Sequence, residues 1–237
     1  MAIRNVKGEV TDLIRVKNVL VSVYDKTGLE SLIPGLIDLN PKVAFISTGG
    51  TYSKVKEILG SSHSQNLMEV AEYTGFPEME GGLVKTLHPK IHAGILGERN
   101  NPEHQRYLEQ ELGNGVFIDM VVANLYPFQD VINSGVDFEK ARGNIDIGGP
   151  TMIRGAAKNF LSCAVVCDPV EYKYVLNHIA AANGTTSFSY RFHLAQKAFK
   201  KTAEYDKAIS DHLSKKYGFD LSKIRESYNL GPEVYMD

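Results

Sequence analysis

Four stretches of this chain stack apolar residues at consecutive rather than alternate positions: "NVLVSVY" (Asn18–Tyr24), "KVAFISTGG" (Lys42–Gly50), "IDMVVANLYPF" (Ile118–Phe128) and "LSCAVVC" (Leu161–Cys167). A strand with one face in water alternates polar and apolar residues, so a continuous run of β-branched side chains reads as a strand buried on both faces. Amphipathic segments with helical spacing separate these runs. Strands alternating with helices define an α/β fold, in which a mostly parallel sheet is covered on both sides.

The intervening segments carry their own start and stop signals. "KTGLESLIPGLIDLN" (Lys26–Asn40) spaces leucine and isoleucine as a helix does, with Thr27 as a candidate N-cap and with Pro34 and Gly35 weakening the pattern. "TYSKVKEILG" reads as a helix closed by Gly60, and "PTMIRGAAKNF" as one with Pro150 at its first position. From Ser187 to Tyr217 a single long helical pattern brings Phe192, Leu194, Ala195, Ala198 and Phe199 to one side. The economical organisation is one domain over 1–237, with 187–237 as a helical appendage.

Composition narrows the partners. Lys and Arg total 26 against 28 Asp and Glu, a net charge of −2, which gives no bulk attraction to nucleic acid or an anionic membrane. No apolar run approaches the ~20 residues that span a bilayer, and "MAIRNVKGEVTD" lacks the apolar core of a secretory signal. The two cysteines, Cys163 and Cys167, read as buried thiols of a reducing, cytoplasmic compartment.

Neither G-x-x-x-x-G-K-[ST] nor G-x-G-x-x-G occurs. In their place "STGGT" (Ser47, Thr48, Gly49, Gly50, Thr51) ends a strand and opens a helix. Hydroxyls, bare backbone and a helix N-terminus together can cradle a phosphate. A strand-to-helix turn also favours these residues for its own sake. Ser22 and Lys26 follow the first strand, and the C-terminal ends of parallel strands converge on one crevice. Lys26 there is either the missing positive charge or a solvated loop lysine.

"NIDIGGPTMIRGAAKN" places Asp146 and Gly148–Gly149 directly before a helix, where the carboxylate either caps the helix or meets a ligand. Arg154 and Lys158, four apart, share a helix face. The segment "MEGGLVKTLHPKIHAGIL" (Met79–Leu96) follows neither regular period, yet holds Lys85, His88, Lys90 and His92. His88 and His92 have the spacing of a helical metal pair. Gly94 argues against a sustained helix there, and a third ligand is missing, so no metal is expected. With no G-x-S-x-G elbow and no reactive cysteine, the reactive inventory is lysine, aspartate and tyrosine.

In this order, "LVSVYDKTGL", "STGGT", "YTGFPEM", "VKTLHPKIHAGIL", "NLYPF", "NIDIGGPTMIRGAAKN", "VVCDP" and "KAFKKTAEYDKAI" resemble the inosine monophosphate cyclohydrolase domain, from about Leu20 to Ile209. That domain is usually the N-terminal half of a bifunctional purine-biosynthesis enzyme that also carries a formyltransferase. The resemblance implies a three-layer α/β/α, methylglyoxal-synthase-like fold. It implies closure of 5-formamidoimidazole-4-carboxamide ribotide to inosinate with loss of water, in a homodimer and without a cofactor. Ending at Asp237, about where a transformylase half would start, the chain is expected to be a stand-alone cyclohydrolase.

By the same resemblance, Lys85 polarises the formyl oxygen and Tyr126 belongs to the catalytic set. Asp146 draws off the carboxamide proton, and Lys158 pairs with Asp146. Ser22, Lys26 and Ser47 to Thr51 would hold the nucleotide phosphate; Thr86, Asn124, Ile147 and Gly148 would hold the base and carboxamide. Two positions depart from the family: Leu83 replaces an arginine two residues before Lys85, and Gly143 stands where glutamate is common. Arg154 and Lys90 are the basic residues expected to compensate for Leu83. Methylglyoxal synthase shares the fold but lacks the lysine and tyrosine blocks. A nucleotide-sensing module of the same fold is the non-enzymatic alternative, favoured by Leu83 alone.

Overall fold

The computed structural model describes residues 9–216 and 219–231. The chain divides into two compact units, one running through Leu125 and resuming over Asp146–Thr202, the other comprising Tyr126–Ile145 and the chain from Ala203 onward. The long C-terminal helix begins in the first unit and ends in the second.

In chain order the elements are β1 (Ile14–Arg15), β2 (Asn18–Ser22), α1 (Leu29–Leu39), β3 (Ala44–Ser47), α2 (Gly49–Leu59), β4 (Leu67–Glu69), α3 (Val70–Thr74), α4 (Pro89–Leu96), α5 (Pro102–Arg106) and β5 (Met120–Ala123). There follow α6 (Phe128–Asn133), α7 (Phe138–Gly143), α8 (Gly148–Lys158), β6 (Ala164–Val166), α9 (Tyr172–Ala181), β7 (Thr185–Thr186), α10 (Phe188–Lys216) and α11 (Phe219–Ser227). The predicted helix end at Tyr217 lies outside the described residues.

The first unit is built on a five-stranded sheet of order β4-β3-β2-β5-β6, every pairing parallel. The register sets Val19 beside Phe45 on one side and Met120 on the other, all fully buried. Helices α1, α2 and α9 pack together against the sheet, as do α4 and α8, giving the three-layer α/β/α arrangement expected. A short ladder between β1 and β7 is antiparallel.

Several local expectations shift. Gly28, not Thr27, precedes α1, because the chain enters that helix at φ 81°, a left-handed angle glycine adopts without strain. Pro34 lies inside α1; its missing N–H deprives the Glu30 carbonyl of a helical partner, but both residues are exposed and water can replace it. Helix α8 starts at Gly148, so Pro150 is its third residue rather than its first. Strand β4 was not anticipated: three residues carry too little pattern.

Helix α10 is anchored at its start. The guanidinium of the fully buried Arg191 donates to the carbonyls of Phe160, Leu161, Thr11, Asp12 and Thr186, and burial lowers its pKa to about 10. Leu194, Ala195 and Ala198 enter the core, whereas Phe192 and Phe199, expected beside them, are exposed. In the second unit, buried Phe128 meets the rings of Tyr205 and His212 edge-on, and the Tyr205 hydroxyl donates to the Asn144 carbonyl at 3.4 Å. Among the described residues no helix is long and apolar enough to cross a membrane.

Candidate functional site

Strand order reverses at β2, whose successor β3 lies on one side and β5 on the other. Ligands of open parallel sheets bind outside the carboxyl ends of the strands at such a reversal. The loop after β2 holds Ser22 to Lys26, and Asn124 follows β5. Asn124 Oδ1 accepts from the amides of Tyr24 (2.7 Å) and Asp25 (2.9 Å), and its Nδ2 donates to the Asp25 carbonyl at 2.7 Å. Its carboxamide therefore fixes the shape of the Lys26 loop.

The hydroxyls of "STGGT" divide their labour. Buried Ser47 donates to the Val21 carbonyl at 2.8 Å, tying β3 to β2. Thr51 donates to the Val23 carbonyl (2.9 Å) and accepts from the Val23 amide (3.1 Å), stitching α2 to the end of β2. Ser22 and Thr48 hydrogen-bond to each other at 2.9 Å, so these hydroxyls lie together at the strand ends. Gly49 and Gly50 open α2, where amide N–H groups point away from the helix body.

Two ammonium groups come to this turn. Nζ of Lys26 lies 4.0 Å from where a Cβ of Gly50 would stand, and Nζ of Lys85 lies 3.1 Å from the corresponding point on Gly49. Lys85 arrives from the irregular segment after α3. Val84 immediately before it has φ 57°, a left-handed angle that is strained for a β-branched residue. The Leu87 amide closes that turn on the Val84 carbonyl at 2.9 Å. Glu78 pairs with Lys85 at 3.7 Å. Nothing in the sequence pattern marked Glu78 or Val84, although Glu78 lies within the "YTGFPEM" segment.

The next residue reaches a second helix start. Thr86, buried, places Oγ1 2.6 Å from the Cβ position of Gly148 at the first residue of α8. Asp146 Oδ1 accepts from the Gly149 amide at 2.9 Å, and its Oδ2 lies 2.4 Å from the Gly149 Cβ position, so only glycine fits beneath that carboxylate. Asp146 thus caps α8 while standing beside Gly148 and Thr86. Ile147 is exposed at the same corner. The dipeptide Lys85–Thr86 therefore links two glycine-opened helix N-termini, α2 through its first side chain and α8 through its second.

Lys158 does not join them. It ends α8, whereas Asp146 precedes its start, and an eleven-residue helix separates its ends by ~15 Å. Within one chain the expected Asp146–Lys158 pairing does not form, since a lysine side chain is far shorter than that. Arg154 and Lys158 are both exposed rather than partly buried. Of the basic residues expected to compensate for Leu83, Arg154 lies over the Phe199 ring, and Lys90 donates to the Gly113 carbonyl at 2.7 Å above the Tyr73 ring. Leu83 itself is 60% exposed. Tyr126 opens the second unit, its carbonyl accepting from the Phe128 amide at 2.8 Å.

The histidine segment is a helix after all. His88 caps α4, its Nδ1 accepting from the Lys90 amide at 3.1 Å, and burial lowers its pKa, with Lys90 adding to the effect. Gly94 is tolerated because a side chain there would strike the Val116 carbonyl at 2.5 Å. Among the described residues no three His, Cys, Asp or Glu side chains gather to hold a metal. Both cysteines are buried free thiols, pushed up by burial to about 12 for Cys163 and about 11 for Cys167, which leaves neither a nucleophile near neutral pH.

The parallel sheet of reversed strand order, with glycine-opened helices and lysines at its crest, defines a doubly wound α/β protein. The chain belongs to the MGS-like domain family, whose model matches residues 28–151; the model of the AICARFT/IMPCHase bienzyme matches residues 156–233. It is 46% identical over 85% of its length to the bifunctional purine biosynthesis protein PurH of Magnetococcus marinus, and 46% identical over 87% to that of Chlorobium phaeovibrioides. The matches take in 36% and 38% of those proteins, so the chain spans little more than a third of the relatives' length. The crystal structure of ForH superposes with a TM-score of 0.66 at 31% identity, covering 82% of this chain and 97% of that one.

Proposed function

We propose that this chain is a cytoplasmic purine-biosynthesis enzyme that closes the six-membered ring of inosinate from 5-formamidoimidazole-4-carboxamide ribotide. The observation that carries the reading is the Lys85–Thr86 dipeptide spanning from Gly49 to Gly148. A nucleotide has a dianionic phosphate at one end and a base at the other. Lys26 and the amides opening α2 suit the phosphate, and Thr86, Gly148 and Asp146 at the start of α8 suit the carboxamide. The likeness to PurH, a protein of purine biosynthesis, supports a purine nucleotide precursor as substrate.

Ring closure forms a bond between the carboxamide nitrogen and the formyl carbon, then expels the former formyl oxygen as water. Nothing is oxidised or reduced and no phosphoryl group moves, so the reaction needs no cofactor. The protein must hold the two groups at attacking distance and move protons. Asp146 takes the proton leaving the carboxamide nitrogen. Lys85 stabilises the oxyanion and protonates the departing oxygen. Lys158 reaches a reaction centre only from a second copy of the chain, so the working form is a homodimer.

Incubating the purified protein with the formamido ribotide and following inosinate by ultraviolet absorbance tests this reading. Turnover in wild type and its loss by several orders of magnitude in Lys85→Ala are expected. A second reading, a nucleotide sensor, rests on exposed Leu83, at a position where the family resemblance implies an arginine. Retained inosinate binding with no turnover favours it.

A further inference from the structure

We propose that Glu78 is a positioning residue: it is the resting counter-ion of Lys85 and keeps that ammonium off the substrate's phosphate, reserving it for the reacting end. The inference rests on the ring-closing reading and adds to it a residue that shares the ammonium between two destinations.

Two ammonium groups meet one helix N-terminus, Lys26 above Gly50 and Lys85 above Gly49. That terminus is itself positive, so both lysines would be drawn to the first dianion to arrive. They are held differently. Lys26 Nζ donates to a carbonyl of its own loop, Tyr24, at 3.2 Å, and the neighbouring Asp25 feels its charge. Lys85 Nζ faces a carboxylate, Glu78 Oε1, at 3.7 Å.

The surrounding backbone is shaped for this pair. Gly82, at φ 70°, leaves open the space in which both groups lie: Lys85 Nζ is 3.3 Å and Glu78 Oε2 3.8 Å from its Cβ position. The left-handed turn at Val84 folds Lys85 back over the same glycine. With side chains 28% and 33% exposed, the pair is neither dry enough to be permanent nor wet enough to be negligible. An ammonium tied to a carboxylate in this way can be passed to a formyl oxygen. Released from it, the ammonium turns to the phosphate, the more highly charged of the two groups.

The test is the Glu78→Gln variant, with ribose 5-phosphate as the binding probe in calorimetry and the formamido ribotide as substrate. Loss of the counter-ion tightens ribose 5-phosphate binding about fivefold and lowers KM and kcat together, with kcat down about tenfold or more. A residue that merely supported the loop would weaken binding and raise KM. Glu78→Asp, which keeps the charge, returns both parameters most of the way. In a Lys85→Met background Glu78→Gln has no effect on binding, because the two residues act as one unit.

Unchanged or weaker ribose 5-phosphate binding in Glu78→Gln overturns the proposal, as does tightening that persists without Lys85. The binding arm needs no turnover. If the wild type proves inactive while the binding pattern appears as stated, the counter-ion role stands and the ring-closing reading falls.

Discussion

A methyl group on Gly49 would stand 3.1 Å from the ammonium nitrogen of Lys85, at a backbone angle of φ 40°. The lysine tip can retreat a few tenths of an ångström, but the angle cannot be relaxed without unwinding the first turn of α2. Gly49→Ala should therefore cost about 1–2 kcal/mol of stability from the left-handed backbone alone. It should also move Lys85 away from the turn, lowering turnover more than it weakens nucleotide binding. Urea denaturation together with steady-state kinetics on the ribotide checks both parts.

Asn124 makes three hydrogen bonds to the backbone of Tyr24 and Asp25, using both its acceptor and its donor. Asn124→Asp preserves the shape and both accepted bonds, but sets a carboxylate oxygen against the Asp25 carbonyl. Losing one buried donor and gaining a repulsion should destabilise the fold by about 1–3 kcal/mol. The loop that carries Lys26 would loosen, so KM for the nucleotide should rise while kcat changes little. A kcat loss with unaltered KM would assign Asn124 to the chemistry instead.

Much of the sheet was legible because its strands are buried on both faces. Val19, Leu20 and Val21, or Met120, Val121 and Val122, leave no alternation to confuse with an exposed strand. Strand β4 escaped because Leu67–Glu69 is too short to show a period. Lys85, Asp146 and the glycine turns stood out because irregular, polar segments flanked by hydrophobes rarely need such residues for packing. The working partners of Thr51 and Asn124 did not, since each side chain bonds to backbone 28 or about 100 residues away. No local pattern encodes such a contact. The distance between Asp146 and Lys158 within one chain was hidden for the opposite reason: closeness in the motif masked the length of the helix between them.

Helix α4 should respond to acid through its cap. His88 accepts the Lys90 amide through Nδ1, which requires a neutral ring, and burial already lowers its pKa from the ordinary 6.5. The unfolded chain binds the proton more readily than the native one, so this contribution is complete above pH 6.5. It shrinks as pH falls below that value and is gone below the depressed native pKa. His88→Asn keeps a capping acceptor that does not titrate. The variant should match wild type at pH 8 and lose less stability between pH 7 and pH 5, as read by urea midpoints. Parallel curves for the two proteins would remove His88 from the acid response.

The two ends of α8 give the proposed homodimer its test. Asp146 caps its start and Lys158 ends it, so a reaction using both draws them from different chains. Asp146→Asn and Lys158→Ala should each abolish turnover when pure. Mixed one to one and allowed to exchange, half the dimers are hybrids, and each hybrid rebuilds one intact site beside one doubly damaged one. About a quarter of wild-type activity should then return, following from two-fold symmetry. A monomer holding Asp146 and Lys158 in one site gives no recovery at any mixing ratio. Residual activity of Lys158→Ala by itself near wild type would instead strike that lysine from the mechanism, leaving Lys85 and Asp146 to move the protons.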